Sequence, residues 1–255
     1  MMRLFSSIGR SPALLAFLTQ LLALAALFPL FIIFSEQNIS LFGWAILQGM
    51  VAALVSLRLN MARWWIVIHL LFMPAVTATL ALSLPPLWFG LVFLVLALMY
   101  GKTYQTQVPL YLSSQEATKA LSAMLPQQQH FSFMDLGSGC GGLLKTLSHL
   151  HSNGSYYGIE AAPLPYLVST VRKILSASKY SIQWGDFWKD DLAQYDVVYA
   201  YLSPVPMQRL WEKARQEMQP GSLLISNSFI IPGVLPEKSI QLNDFSGSTL
   251  YMWRI

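Results

Sequence analysis

The chain has 255 residues, 55% of them hydrophobic and 11% charged, against roughly 25% charged in an average soluble domain, so composition excludes an ordinary soluble globular protein throughout. The charge is uneven: residues 1–101 hold four basic residues (Arg3, Arg10, Arg58, Arg63) and one acid (Glu36), whereas 102–255 hold twelve basic and eleven acidic ones. The net charge of +4 therefore gives no reason to expect nucleic acid as a partner, and the single cysteine, Cys140, allows no intrachain disulfide and fits a reducing compartment.

Four apolar runs come first, at 14–34, 39–57, 64–83 and from 84 or 86 to 100. A helix crossing a bilayer needs about 20 apolar residues, a length the first three reach and the fourth approaches. The first run is too long for the apolar stretch of a signal peptide and lacks a small-residue cleavage site. Pro86 opens the fourth run, where a proline suits the first turn of a helix. Basic residues fall before the first run (Arg3, Arg10), between the second and third (Arg58, Arg63) and after the fourth (Lys102), with none in the 35–38 and 84–86 loops. The positive-inside rule then places the N-terminus and everything after residue 101 in the cytoplasm. The expectation is a membrane domain at 1–101 with four transmembrane helices and a cytosolic domain at 102–255. A bacterial inner membrane suits this topology, and a matrix or stromal face is its organellar equivalent. Gln20, Gln48 and His69 lie inside the runs and read as interhelical hydrogen-bonding groups, since no chain of acids or bases accompanies them. Pro29 and Pro74 read as kinks, and Trp64, Trp65, Trp88 and Tyr100 as interfacial residues.

Beyond residue 108 the pattern alternates between strand and helix. A capping box of Ser113 with Glu116 predicts a helix running to about 125. Strands follow at 131–136, 155–160, 181–186, 195–202 and 221–229, with helices at 142–150, 164–176 and 206–218. Two last pieces, 239–242 and 249–255, have no helix between them and predict an antiparallel hairpin at a sheet edge. Strand–helix alternation predicts an α/β fold with a mainly parallel sheet covered on both faces.

Between the first strand and its helix lies a glycine turn, Gly137-Ser138-Gly139-Cys140-Gly141-Gly142, preceded by Asp135. Its letters satisfy the dinucleotide pattern G-x-G-x-x-G and equally an acid followed by alternating glycines, which is typical of S-adenosylmethionine (SAM) sites. SAM has no phosphate; it presents a sulfonium and an ammonium, and an acid at a strand end suits those charges. Glu160 ends the second strand, where a carboxylate can accept from both ribose hydroxyls, although dinucleotide sites share this feature. Asp186 follows the third strand and could accept from an adenine amino group while Phe187 or Trp188 packs on the ring. The candidate cofactor residues are thus Asp135, Gly137, Ser138, Gly139, Glu160, Asp186 and Phe187, with SAM favoured over a nicotinamide dinucleotide. An edge hairpin after strand five also belongs to a seven-stranded methyltransferase sheet rather than a six-stranded dinucleotide fold. Cys140 reads as a small turn residue, and His130, His149 and His151 read as surface groups without metal-ligand spacing, so no metal is expected.

The matching stretches are Pro109 and Ser113 in "VPLYLSS", "DLGSG" at 135–139, "YGIEAAPLP" at 157–165, "GDFWKDDLAQYDVV" at 185–198, "VPMQRLWEKARQEMQPGS" at 205–222 and "SNSFIIPG" at 226–233. On these the chain resembles class I SAM methyltransferases. Within them it is similar to the lysine methyltransferases related to the membrane-anchored enzyme that modifies the ATP-synthase c subunit, and to their soluble archaeal relatives. The resemblance spans about 109–233 and leaves out the apolar runs. It implies a Rossmann-like seven-stranded sheet, SAM as cofactor and lysine as acceptor. Two departures stand out: the family's G-D-G-R loop is Gly139-Cys140-Gly141-Gly142 here, and its F-x-x-P-x-W element ends in Val234 instead of tryptophan.

Methyl transfer to an amine requires a neutral nucleophile aligned on the methyl carbon at about 3–3.5 Å, and an apolar site favours the neutral form. Tyr201 and Ser203, with the Leu202 carbonyl, are the candidates for orienting that amine after the fourth strand. Residues 101–108 can reach at most about 26–29 Å from the last apolar run, which keeps the site near the lipid surface. A membrane-protein lysine is the expected acceptor; a lipid or quinone acceptor, or a non-catalytic SAM-binding role, are the alternatives.

Overall fold

The computed structural model describes residues 12–255 apart from 35, 36, 38 and 128. Arg3, Arg10 and Glu36, which entered the topology argument, lie outside the described residues. The chain divides into two compact units, Met1–Phe89 and Gly90–Ile255.

The first unit holds helices α1 (Pro12–Ile33), α2 (Leu41–Arg58) and α3 (Trp64–Ala81), each long and apolar enough to cross a membrane. The fourth run forms the shorter α4 (Pro86–Tyr100). The bundle packs small and polar residues inside: Ala16, Thr19 and Ala23 of α1 and Ala45, Gln48, Gly49, Ala52 and Ser56 of α2 are buried. A Cβ on Gly49 would stand 2.7 Å from the Leu70 carbonyl oxygen, so α2 and α3 approach to backbone contact there. The expected interhelical bonds are present: Gln48 Nε2 donates to Gln20 Oε1 at 2.7 Å, and Gln20 Nε2 lies 3.0 Å from His69 Nδ1. Large side chains point outward instead, among them Phe28 (62% exposed), Leu41 (72%) and Leu80 (68%).

In the second unit the seven-stranded sheet has the order β3-β2-β1-β4-β5-β7-β6. The strands are β1 (Phe131–Leu136), β2 (Gly154–Glu160), β3 (Tyr180–Trp184), β4 (Val197–Ala200), β5 (Leu223–Asn227), β6 (Lys238–Gln241) and β7 (Thr249–Arg254). β1 to β5 are parallel; β7 runs antiparallel to β5 and pairs with β6 as the expected hairpin. Helices α6 (Gln115–Met124), α7 (Gly142–Leu150), α8 (Pro163–Leu175) and α9 (Met207–Glu217) alternate with the strands, and a single-turn α5 (Thr103–Thr106) precedes them. Two apolar cores result, one on each face: Leu121, Phe133, Leu144 and Ile225 on one side, Met134, Leu136, Leu210 and Leu224 on the other. β1 and β4 are almost wholly buried, as central parallel strands require.

One local expectation is corrected. The N-cap of α6 is Ser114, which accepts from the Ala117 amide at 3.0 Å, not Ser113. Ser113 is engaged elsewhere, sharing a 2.8 Å hydrogen bond with the Tyr199 hydroxyl, so the neighbouring serine caps and Glu116 is no longer at the box position.

Candidate active site

The sheet register brings the acids together. Asp135 pairs with Gly158 of β2 and Tyr199 of β4, and Glu160 ends β2 opposite Trp184, so both carboxylates stand at the carboxyl ends of neighbouring parallel strands. In open α/β sheets this edge is where ligands bind. The glycine turn crosses the same edge: Gly137 and Ser138 donate to the Ile159 carbonyl at 3.0 and 3.1 Å, and Gly139 donates to Glu160 Oε2 at 2.8 Å. Glu160 Oε1 accepts from Ala162 at 2.8 Å, which leaves each oxygen a second lone pair. Gly141 takes φ +69°, where a Cβ would stand 2.1 Å from Ser169 Oγ, so this position admits only glycine without a rearrangement.

Two cavities open on this edge and share Tyr111, Gly137 and Tyr201. The first is lined by Glu160, Ala162, Phe187 and Leu202, and also by Met99, Lys102, Thr103 and Thr106. The second is lined by Asp135, Ser138, Cys140, Gly142, Arg172 and Tyr199. Of the expected cofactor residues, Asp135, Gly137, Ser138, Glu160 and Phe187 therefore line the cavities, and Gly139 braces Glu160. Asp186 is exposed and instead accepts from the Trp188 amide at 3.1 Å, capping the 3₁₀ turn that carries Phe187. Tyr201 lines both cavities and stacks on Tyr111 with centroids 4.8 Å apart. Ser203 is buried, its Oγ has no hydrogen-bond partner, and it lines neither cavity.

Both acids on this edge are shifted upward by burial. Burial, reinforced by the nearby Glu160 charge, pushes the Asp135 carboxyl up to about 8. Glu160 is also raised, by burial, against the opposing pull of its backbone donors. Neither acid takes part in the two ion pairs among the described residues, Lys213–Glu217 and Arg254–Glu237. The buried Ser138 Oγ likewise lacks a partner. An ammonium and ribose hydroxyls suit these two carboxylates, and the residues present fit SAM. Burial also raises the Cys140 thiol, consistent with a turn residue rather than a nucleophile. No group of His, Cys, Asp or Glu among the described residues could hold a metal. His130 and His149 are exposed as expected, while His151 is half-buried.

Tyr199, Tyr111 and Arg172 are among the lining residues that escaped the sequence reading. Tyr199 is wholly buried, its hydroxyl raised by burial, and it joins Ser113 to Asn227, whose Nδ2 donates to it at 3.1 Å. Tyr111 is brought in by the segment before α6, and Arg172 by the packing of α8 on α7. Only the position of Ser113 hinted at the first, and no local signal marked the others.

Residues 135–238 match the family described as ANTKMT methyltransferase domain. A protein-lysine N-methyltransferase from Saccharolobus islandicus is 23% identical over 156 residues, covering 60% of this chain and 97% of that protein. The crystal structure of an RNA methyltransferase from Salinibacter ruber, in complex with S-adenosyl-L-homocysteine, matches with TM-score 0.52 and 22% identity over 57% of this chain and 94% of that one, which shows the shared fold. Sheet order, acidic strand ends and family match agree: the chain is a class I SAM-dependent methyltransferase, related to the ANTKMT and lysine methyltransferases.

Proposed function

We propose that this methyltransferase acts on lysine side chains of membrane proteins at the cytoplasmic face of the bilayer, with α1 to α4 as its membrane spans. The carrying observation is that Met99, in the last turn of the apolar α4, lines the same cavity as Glu160 and Phe187. If α4 lies in lipid, the cofactor cavity stands at the lipid surface without an extended tether. The outward display of Phe28, Leu41 and Leu80 over a small and polar interior supports lipid as the solvent of the bundle. The likeness to a protein-lysine methyltransferase across nearly all of that protein supports lysine as acceptor.

Bound at the strand ends, SAM supplies an electrophilic methyl group. The chain's own residues position and desolvate. In this reading Glu160 accepts from the ribose hydroxyls, Asp135 pairs with the ammonium, and Phe187 packs on the adenine. Tyr111, Tyr201 and Leu202 form an apolar wall that excludes water and favours a neutral amine. The Tyr201 hydroxyl is the group we assign to orient that amine.

The test is incorporation of labelled methyl from SAM into membranes containing the protein, followed by separation of protein from lipid. Label recovered as methyl-lysine in membrane proteins is expected. Label in the lipid extract would replace lysine by a lipid or quinone acceptor, and SAM binding without any transfer would replace enzyme by sensor.

A further inference from the structure

α8 leaves an apolar face uncovered. Its buried residues are Pro165 and Ser169, whereas Leu167, Val171, Ile174 and Leu175, spaced by three or four along one stripe, are exposed, Ile174 at 73% and Leu175 at 82%. α9, packed on the same sheet, exposes Gln208, Arg209, Glu212 and Arg215 instead. A groove beside the apolar stripe of α8 is lined by Val168, Val171 and Leu175 together with Lys145 and Arg172. No acid falls between Glu160 and Asp186, while Arg172, Lys173 and Lys179 do. None of these four cations belongs to either ion pair among the described residues. In the first turn of α8, Tyr166 stacks on the exposed Trp184, whose Nε1 donates to the Ala161 carbonyl at 3.0 Å.

We propose that this face of α8 lies on the surface of an anionic leaflet, with Leu167, Val171, Ile174 and Leu175 in the acyl boundary and the basic rim on the lipid headgroups. An apolar stripe flanked by cations is what an interfacial helix presents to anionic lipid, and an indole beside it suits the headgroup zone. Its place in the fold agrees. Pro165, in the first turn of α8, lines the first cavity together with Met99 of the last turn of α4, so the lipid that holds α4 is close to the start of α8. The inference rests on the reading of α4 as a membrane span. A second copy of the chain fits this face less well, because a self-paired contact would set the basic rim against its own like. Docked on lipid, the methyltransferase unit has a second hold besides α4, which fixes the orientation of the first cavity toward acceptors at the leaflet.

The test is lipid photolabelling of the full chain in nanodiscs of phosphatidylglycerol and phosphatidylcholine, with a trace of diazirine-bearing phosphatidylcholine as probe and the adducts located by mass spectrometry. Adducts are expected within 164–175 as well as along α1 to α3. Val171→Glu combined with Ile174→Glu should lower the yield in 164–175 by about tenfold or more and leave that in α1 to α3 unchanged. Both side chains are exposed, so retained SAM binding shows that this variant has folded, and the wild-type and lipid comparisons need no variant. Nanodiscs of phosphatidylcholine alone should lower the yield in 164–175 by at least about fivefold, the worth of one basic residue at an anionic surface. Adducts along α1 to α3 and none in 164–175 would overturn the inference, as would a yield there indifferent to the substitutions or to phosphatidylglycerol. Cross-links between the Lys173 residues of two copies, with 164–175 unlabelled by lipid, would give the face to a second chain and overturn it too. Absence of adducts from α1 to α3 as well would overturn the membrane reading beneath it, a result distinguishable from the others.

Discussion

Asp135 is held in a state that costs stability when the site is empty. Its carboxyl, raised to about 8 by burial and then by Glu160, is mostly protonated at neutral pH in the folded chain but ionised in the unfolded one. An acid shifted upward binds more protons when folded, so it works against stability as pH rises from its ordinary range near 4 toward 8. Asp135→Asn should therefore raise the melting temperature of the unliganded protein at pH 7.5 by a few degrees, about 1–2 kcal/mol, and abolish SAM binding; thermal melts with and without cofactor read both. An ammonium arriving at Asp135 favours the carboxylate, so binding at pH 7 should release close to one proton. Calorimetry in buffers of different ionisation enthalpy measures that number, and zero release would contradict the assigned pairing. At Tyr201, replacement by Phe keeps the stack on Tyr111 and removes only the hydroxyl. Turnover should fall by about 10²-fold with SAM affinity within threefold, measured by single-turnover kinetics beside calorimetry.

Among the elements, the sheet was legible because its strands are bounded by turn residues and a helical period follows β1, β2 and β4. The edge hairpin was legible because 242–248 is too short and polar for a crossover helix. What sequence could not show is what tertiary hydrogen bonds decide. Ser113 and Ser114 are equivalent as caps until Tyr199 claims Ser113 across 86 residues of chain. The acid of "GDFW" serves its own 3₁₀ turn, while the aromatic that follows is the one lining the cavity. Arg172 is seven residues along α8 from Pro165, on a helix whose only local signal is amphipathic, and its neighbour Gly142 is thirty residues away. The Ser113–Tyr199–Asn227 array ties the segment before α6 to β4 and β5, and Ser113 and Tyr199 line the second cavity. Tyr199→Phe leaves Asn227 Nδ2 without its acceptor in a buried position and should destabilise the fold by about 1–3 kcal/mol, read by chemical denaturation.

For the whole molecule, the two units have opposite burial patterns. The sheet buries Leu, Phe and Ile and exposes charge, whereas the bundle buries Ala, Gly, Gln and His and exposes Leu and Phe. Gly49→Leu would drive a side chain into the Leu70 backbone and should separate α2 from α3, lowering the yield of folded protein extracted from membranes while a matched change at the outward Leu54 leaves it unaltered. The account of function depends on the last turn of α4, where Met99 lines the cofactor cavity. Its most direct measurement is the chemical identity and location of the methylated product in membranes. Labelled SAM supplied to membranes containing the protein should yield methyl-lysine in integral membrane proteins, within the first turns outside their spans and on the cytoplasmic face. Methyl-lysine confined to soluble proteins, or label that partitions with lipid, would contradict it.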